Sequence, residues 1–221
     1  MFTGHYAPAF VLRRFLPKLG FFHLFFAAQF LDYLFMFFLL FGVEKMRIVE
    51  GFTESNPFDL YYMPFSHSLV MSLIWSVLVF LIYSGFVFRK EIGRDRILLG
   101  LVMGFCVFSH FLLDLPMHRE DLPLYSDDSL KLGFGIWKYK YIALALENGL
   151  ILLSVYFYAR ALTNESKKKI YLLALILILM NVGFLFFPIP SATWEISIQA
   201  LLSYIALNGY AYYLDRKIEY L

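Results

Sequence analysis

The chain has one cysteine, Cys106, so it cannot close a disulfide on itself. That residue sits inside an apolar run and reads as a small packed side chain. Charge is also scarce. Only 16% of the 221 residues are Asp, Glu, Lys or Arg, where soluble domains carry about 25%. The net charge is +2, and neither a long basic patch nor a base-reading motif is present, which sets nucleic acid aside as a partner. No cleavable leader is expected either. The first apolar run follows Arg13, Arg14 and Lys18 without a small-residue cleavage site, and it reads as a retained span.

What fills the chain instead is hydrophobic sequence, 61% of it, gathered into runs near the ~20 residues that cross a ~30 Å hydrocarbon core. The expected architecture is an all-α, polytopic membrane helix bundle in a single domain over residues 1–221. Six spans are expected, over about 19–42, 67–88, 97–115, 141–162, 170–187 and 195–214. A short amphipathic or re-entrant helix is expected in the partly apolar segment before them. With the N-terminus inside, thirteen basic residues fall on inner segments (Arg13, Arg14, Lys18, Arg89, Lys90, Arg94, Arg96, Arg160, Lys167, Lys168, Lys169, Arg216, Lys217) and six on outer loops (Lys45, Arg47, Arg119, Lys131, Lys138, Lys140). This bias predicts both termini on the cytoplasmic side of a cytoplasmic (inner) membrane. The two long loops, about 43–66 and 116–140, are then external, and loops of that length usually carry function.

Several polar groups sit where hydrocarbon makes them expensive. Asp32 falls near the middle of the first span, His67 at the outer end of the second, His110 and Asp114 toward the outer end of the third, and Glu147 in the outer part of the fourth. Ionisable residues in spans usually face a bundle interior, a partner or a wet cavity. Four spans contributing at the outer half point to one shared site there. His110 and Asp114, at i and i+4, share a helix face and can take one metal ion between them. Pro116 ends the helix just beyond and leaves His118 in the loop mouth. His and carboxylate ligands suit a divalent ion, zinc first, with manganese or magnesium as alternatives. The tripeptide Phe-Ser-His occurs at 65–67 and again at 108–110, as antiparallel neighbours would need to bring two histidines to one level. Taken singly, Asp32 reads equally as a buried polar contact, His67 as a capping group, and the His110–Asp114 pair as interhelical hydrogen bonding.

These residues resemble the small multi-pass proteins described as membrane-bound metal-dependent hydrolases. The likeness lies in GHYAPAF (4–10), AAQFLDYLF (27–35), PFSHSLVMS (64–72), SHFLLDLPMHREDLPL (109–124) and GFGIW (133–137), and it extends through Glu147. The resemblance implies a polar constellation of His5, Asp32, His67, His110 and Asp114, with His118, Arg119 and Asp121 as a loop motif. His5 reaches that set only if the N-terminal segment turns inward. This chain departs from the family pattern in two places: Phe30 stands two residues before Asp32 where a second Asp is expected, and Tyr62 and Met63 stand where a His-Arg would precede His67. That implies one ion where others hold more.

The expected function is metal-assisted hydrolysis of a lipid or lipid-linked (phospho)ester at the outer membrane–water boundary. His67, His110 and Asp114 would hold the ion, with Asp32, His118 or His5 completing the set. Glu147, His118 and Asp121 are candidates for proton transfer, and Arg119 for meeting a phosphate. The alternatives are an ion- or proton-coupled transporter and a non-catalytic membrane binding or assembly protein.

Overall fold

The computed structural model describes residues 1–186, 188 and 190–221. It is mostly helical. A buried 3₁₀ turn (Thr3–Tyr6) leads into α1 (Ala7–Phe15), followed by α2 (Phe21–Ala28) and α3 (Phe30–Leu40). A hairpin, β1 (Lys45–Ile48) and β2 (Phe58–Tyr62), precedes α4 (Leu69–Ile82), which runs on through a π turn (Tyr83–Val87). Then come α5 (Arg94–Met117), a second small hairpin of β3 (Leu122–Pro123) and β4 (Lys131–Leu132), α6 (Lys140–Ala159), α7 (Asn164–Phe186) and α8 (Thr193–Asp215).

Among the described residues, four helices are long and apolar enough to cross a membrane: α4 with its π turn, α5, α6 and α7. The outer faces of these helices stay apolar. Leu73, Val77 and Leu81 on α4, Leu101 and Phe105 on α5, and Leu172 and Leu175 on α7 are all exposed. A soluble protein would not leave such faces bare; a membrane protein turns them to lipid.

The six expected spans do not all appear in that form. The first is broken. α2 and α3 meet at Gln29 with a 54° bend, and only together do they pass as one span. The sixth falls on α8, which is long enough but less apolar than the other four. The last residue of the fifth expected span, Phe187, lies outside the described residues. α5 ends at Met117, one residue past Pro116, close to where the proline predicted a stop.

Contacts sort the connecting segments into two ends of the bundle. At one end, Lys18 meets Glu91 and Asp95, Arg13 meets Asp215, and Lys169 bonds the Lys217 carbonyl. The four basic stretches singled out in the sequence therefore lie together. At the other end the two long loops knit: the Ser55 amide donates to the Trp137 carbonyl, the Lys140 amide to Glu54, and the Val70 amide to the Leu124 carbonyl. The chain's two ends do not share a level. Leu221 bonds the Ala161 carbonyl at the basic end, whereas Met1 packs with Met117 and Ala143 toward the loop end. The reason is that the N-terminal segment is threaded into the bundle: α1 packs along α6 and places Met1 beside Glu147 and Arg13 beside Tyr158.

Close packing of α4 on α5 sets the height of the site. Gly100 and Gly104 form a G-x-x-x-G stripe on α5. A Cβ at Gly104 would lie 2.7 Å from the Ser76 carbonyl oxygen, so only glycine lets the two backbones approach this far. Between the two polar ends lies an aromatic layer. Tyr6, Phe10, Phe21 and Phe25 are fully buried, and the Phe10 and Phe21 rings stand 5.2 Å apart.

Candidate metal centre

Four histidines and two aspartates converge at the loop end of the interior. Each comes from a different local setting. His5 lies in the buried 3₁₀ turn, Asp32 in the first turn of α3, and His67 just before Ser68, which caps α4 by accepting from the Met71 amide. His110 and Asp114 project from one face of α5, and His118 is the first residue beyond that helix. The bend at Gln29 starts a new helix three residues before Asp32, and the Gln29 side-chain amide donates to the Asp32 carboxylate.

All four imidazoles present Nε2 to the carboxylates. His67 Nε2 is 3.4 Å from Asp32 Oδ1 and 3.7 Å from Asp114 Oδ2. His110 Nε2 is 3.5 Å from Asp32 Oδ1 and 3.2 Å from Asp114 Oδ2. These four atoms form a closed ring of alternating nitrogen and oxygen. On the other side of Asp114, Oδ1 lies 3.2 Å from His5 Nε2, 3.4 Å from His118 Nε2 and 2.5 Å from the Met1 amino nitrogen. His5 also lies flat on His110, ring centroids 3.5 Å apart.

The decisive feature is what these atoms do not do. His5 Nε2, His110 Nε2 and Asp114 Oδ2 are buried and have no hydrogen-bond partner among the described residues. They are near one another but are not aimed at one another. An orphaned buried polar atom is destabilising by about 1–3 kcal/mol, so several in one place call for a shared partner. Two ligands each ~2.1 Å from a tetrahedral zinc lie roughly 3.4 Å apart, close to the 3.2–3.7 Å between neighbouring atoms around this ring. The donor set therefore fits a divalent ion. Two triads have ligand atoms mutually within 4.8 Å: His5, His110, Asp114 and Asp32, His67, His110. Both use His110, which has only Nε2 to offer.

The far sides of the rings are held from behind, as metal-binding histidines usually are. His110 Nδ1 pairs with the Ala28 carbonyl at 2.8 Å; a carbonyl only accepts, so Nδ1 carries a proton, and in the neutral ring Nε2 keeps the lone pair. His118 Nδ1 pairs with Asp121 Oδ1 at 2.9 Å. His67 Nδ1 meets Ser66 Oγ at 2.7 Å, and that hydroxyl donates to Glu44 Oε2 at 2.6 Å. Glu44 is held in turn by the Phe65 and Ser66 amides. Burial pushes the Glu44 carboxyl above its ordinary range, and the Ser66 donors offset this only in part. For His118, burial disfavours the charged form, but Asp114 and Asp121 outweigh it and raise the imidazole above its usual value. The carboxylates of Asp114 and Asp121 thus favour positive charge at His118.

The remaining expected residues are placed as follows. Glu147 is buried; its Oε2 accepts from the Phe2 amide at 2.9 Å and the Gly4 amide at 3.2 Å, tying down the turn that carries His5. Asp121 stands behind His118 rather than beside the ring. Arg119 does not join the cluster. Its guanidinium lies over Phe52, 4.4 Å from the ring centroid, and lines a separate surface hollow with Asp121, Lys131 and Lys138. Two participants carried no signal in the sequence: Glu44, an unremarkable loop acid, and Ala28, which acts through its backbone. Ser66 was visible only as the middle of the Phe-Ser-His echo, and its partner Ser109 instead bonds the Cys106 carbonyl.

A cavity of about 650 Å³ abuts the cluster, and Asp32, His67, His118 and Glu147 form its polar end. The chain matches no family model, no curated protein and no solved structure.

Proposed function

We propose that the chain is a membrane-embedded, metal-dependent hydrolase acting on a lipid or lipid-linked (phospho)ester. The observation that carries this reading is the convergence of buried, mutually unbonded Nε2 and carboxylate atoms whose imidazoles are oriented from behind. His67, His110, Asp32 and Asp114 Oδ2 would hold a divalent ion, zinc by donor type, with manganese or magnesium as alternatives. His5 and His118 gather on Asp114 Oδ1 and add donors on that side. When bound, such an ion supplies Lewis-acid polarisation of a phosphoryl or acyl oxygen and water activation at neutral pH.

The chain's own residues do the rest. Glu147 stands on the cavity wall within the same interior as the cluster and is the group positioned to accept a proton there. The His118–Asp121 pair, at the loop edge, can hand a proton between the site and the external loops. Trp137 covers His118, ring centroids 4.2 Å apart, and helps keep bulk water out. With the clustered basic end taken as cytoplasmic, the site opens toward the extracytoplasmic side of the cytoplasmic membrane.

The aromatic layer favours hydrolysis over transport. Between His5 and Arg13 the interior is Tyr6, Phe10, Phe21 and Phe25, all fully buried, which supports a pocket open at one end. A non-catalytic binding role would keep the ion and lack turnover. Purified protein is to be assayed for bound metal beside His110→Ala and Asp114→Ala, and then for turnover of a lipid phosphoester panel. The reading predicts metal in the wild type and its loss in both variants. Equal metal content in all three would remove the centre, and metal without turnover on any ester would remove the hydrolase.

A further inference from the structure

The cavity beside the cluster is amphipathic along its length. One end is built from Asp32, His67, His118 and Glu147. The rest is mostly apolar, running between α3, α7 and α8 past Met36, Ile176, Met180, Phe184 and Ala200, with Asn181, Gln199 and Ser203 as scattered uncharged polar groups. Among the described residues no lysine or arginine lines it. Its volume, about 650 Å³, lies within the ~300–1,000 Å³ of pockets that enclose small ligands.

The slot also has a side opening. α7 packs against α6, and α8 packs against α2 and α3, so the two helices flank the cavity instead of sealing it. Leu179 on α7 and Gln199 on α8 line the cavity and remain exposed, so the wall is not closed over between the two helices. α7 is one of the helices apolar enough to span a membrane, so an opening along it faces hydrocarbon. Methionines in the wall, Met36, Met63 and Met180, are flexible and fit a chain of variable shape.

We infer that the slot between α3, α7 and α8 binds one aliphatic chain of a membrane amphiphile, which enters sideways between α7 and α8 and brings its polar head to the His67–His118–Glu147 end. The inference rests on the proposed hydrolase only for what happens to the head. The chain site is defined by apolar lining, lateral access and a polar terminus, and it stands or falls separately.

The test uses the full chain in detergent with a hexadecyl phosphate that carries a diazirine near its methyl end. After illumination, adducts are mapped by mass spectrometry, and bound metal is measured on the same preparation. The expected result is adducts on the inner walls at Ile176, Met180 and Ala200, removed by excess unlabelled hexadecyl phosphate. Hexadecyl phosphate and farnesyl phosphate as rival competitors separate straight-chain from isoprenoid substrates. Ala200→Trp fills the slot and lowers labelling at least about tenfold, equivalent to ~1.4 kcal/mol, while bound metal is unchanged. Ile176→Trp does the same from the facing wall. Adducts confined to the outer faces of α4 and α5, or labelling that persists in both tryptophan variants, overturn the inference. Slot labelling of a protein that carries no metal upholds the chain site and removes the hydrolase reading; metal with no slot labelling does the reverse.

Discussion

His5 and His110 lie face to face, 3.5 Å between ring centroids and within 6° of parallel, although 105 residues separate them in the chain. The N-terminal turn is therefore a wall of the centre and not a peripheral anchor. His5→Phe retains a flat ring for the stack and removes the nitrogen that faces Asp114. Metal affinity is expected to fall while the unfolding midpoint of the ion-free protein changes little. Competition with a fluorescent chelator measures the first and a thermal melt in detergent the second.

Ser66 and Glu44 act through His67. Removing the hydroxyl in Ser66→Ala leaves His67 Nδ1 without its partner and Glu44 Oε2 without the hydroxyl donor. Partners of this kind typically contribute 10–100-fold in metal affinity or activity, and a loss of about that size is expected. Ser66→Thr, which restores a hydroxyl, is expected to recover most of it in the same titration.

Glu147 has two separable tasks. In Glu147→Gln the side-chain carbonyl still accepts from the Phe2 and Gly4 amides, so the turn carrying His5 stays in place and metal is retained. Turnover falls by roughly 10²–10⁴ if the carboxylate accepts the proton. Glu147→Ala orphans two backbone donors at about 1–3 kcal/mol each, so metal content falls as well. Normal turnover by the glutamine variant would rule out the proton role.

Gly104 controls the spacing of α4 and α5. A side chain there meets the Ser76 carbonyl at 2.7 Å, and the helices must separate. Gly104→Val is expected to lower stability by about 1–3 kcal/mol, as overpacking does, and to weaken metal binding because His67 and His110 sit on opposite sides of that contact. Gly85, with open space around it, is the control: Gly85→Ala is expected to leave metal binding unchanged.

Removing the ion is expected to destabilise the fold. A ligand at 100 times its dissociation constant stabilises by about 2.7 kcal/mol. A strong chelator is thus expected to lower the melting midpoint, and added zinc to restore it. In Asp114→Ala, which lacks both bridging oxygens, the midpoint is expected to be insensitive to chelator. His118→Ala, which keeps the ring of His67, Asp32, His110 and Asp114, is expected to retain part of the response.

The helices and most of the cluster were legible because their signals are local. Apolar runs of span length mark α4 to α7, and His110 and Asp114 declare a shared face by their spacing. Asp32 and His67 stood out because charge and imidazole are rare in such runs. What did not show was set by packing. Nothing at Gln29 marks a break: neither glycine nor proline stands there, and α2 and α3 both pack on α8 across the bend. The inward path of the N-terminal segment was one of two readings its partly apolar sequence left open, and only the resemblance tied it to His5. Glu44 and the Ala28 carbonyl have meaning only once the chain has brought them behind a ring. Arg119, chosen for its charge beside His118, turns away because its guanidinium finds the face of Phe52.

The phenylalanine layer under the cluster has an electrical consequence. A bilayer stores a voltage, and any continuous file of exchangeable protons or hydrated ions would discharge it. Phe10, Phe21 and Phe25 interrupt such a file with rings that neither donate nor accept, so the acid–base chemistry proposed for the loop end would proceed without a leak across the membrane.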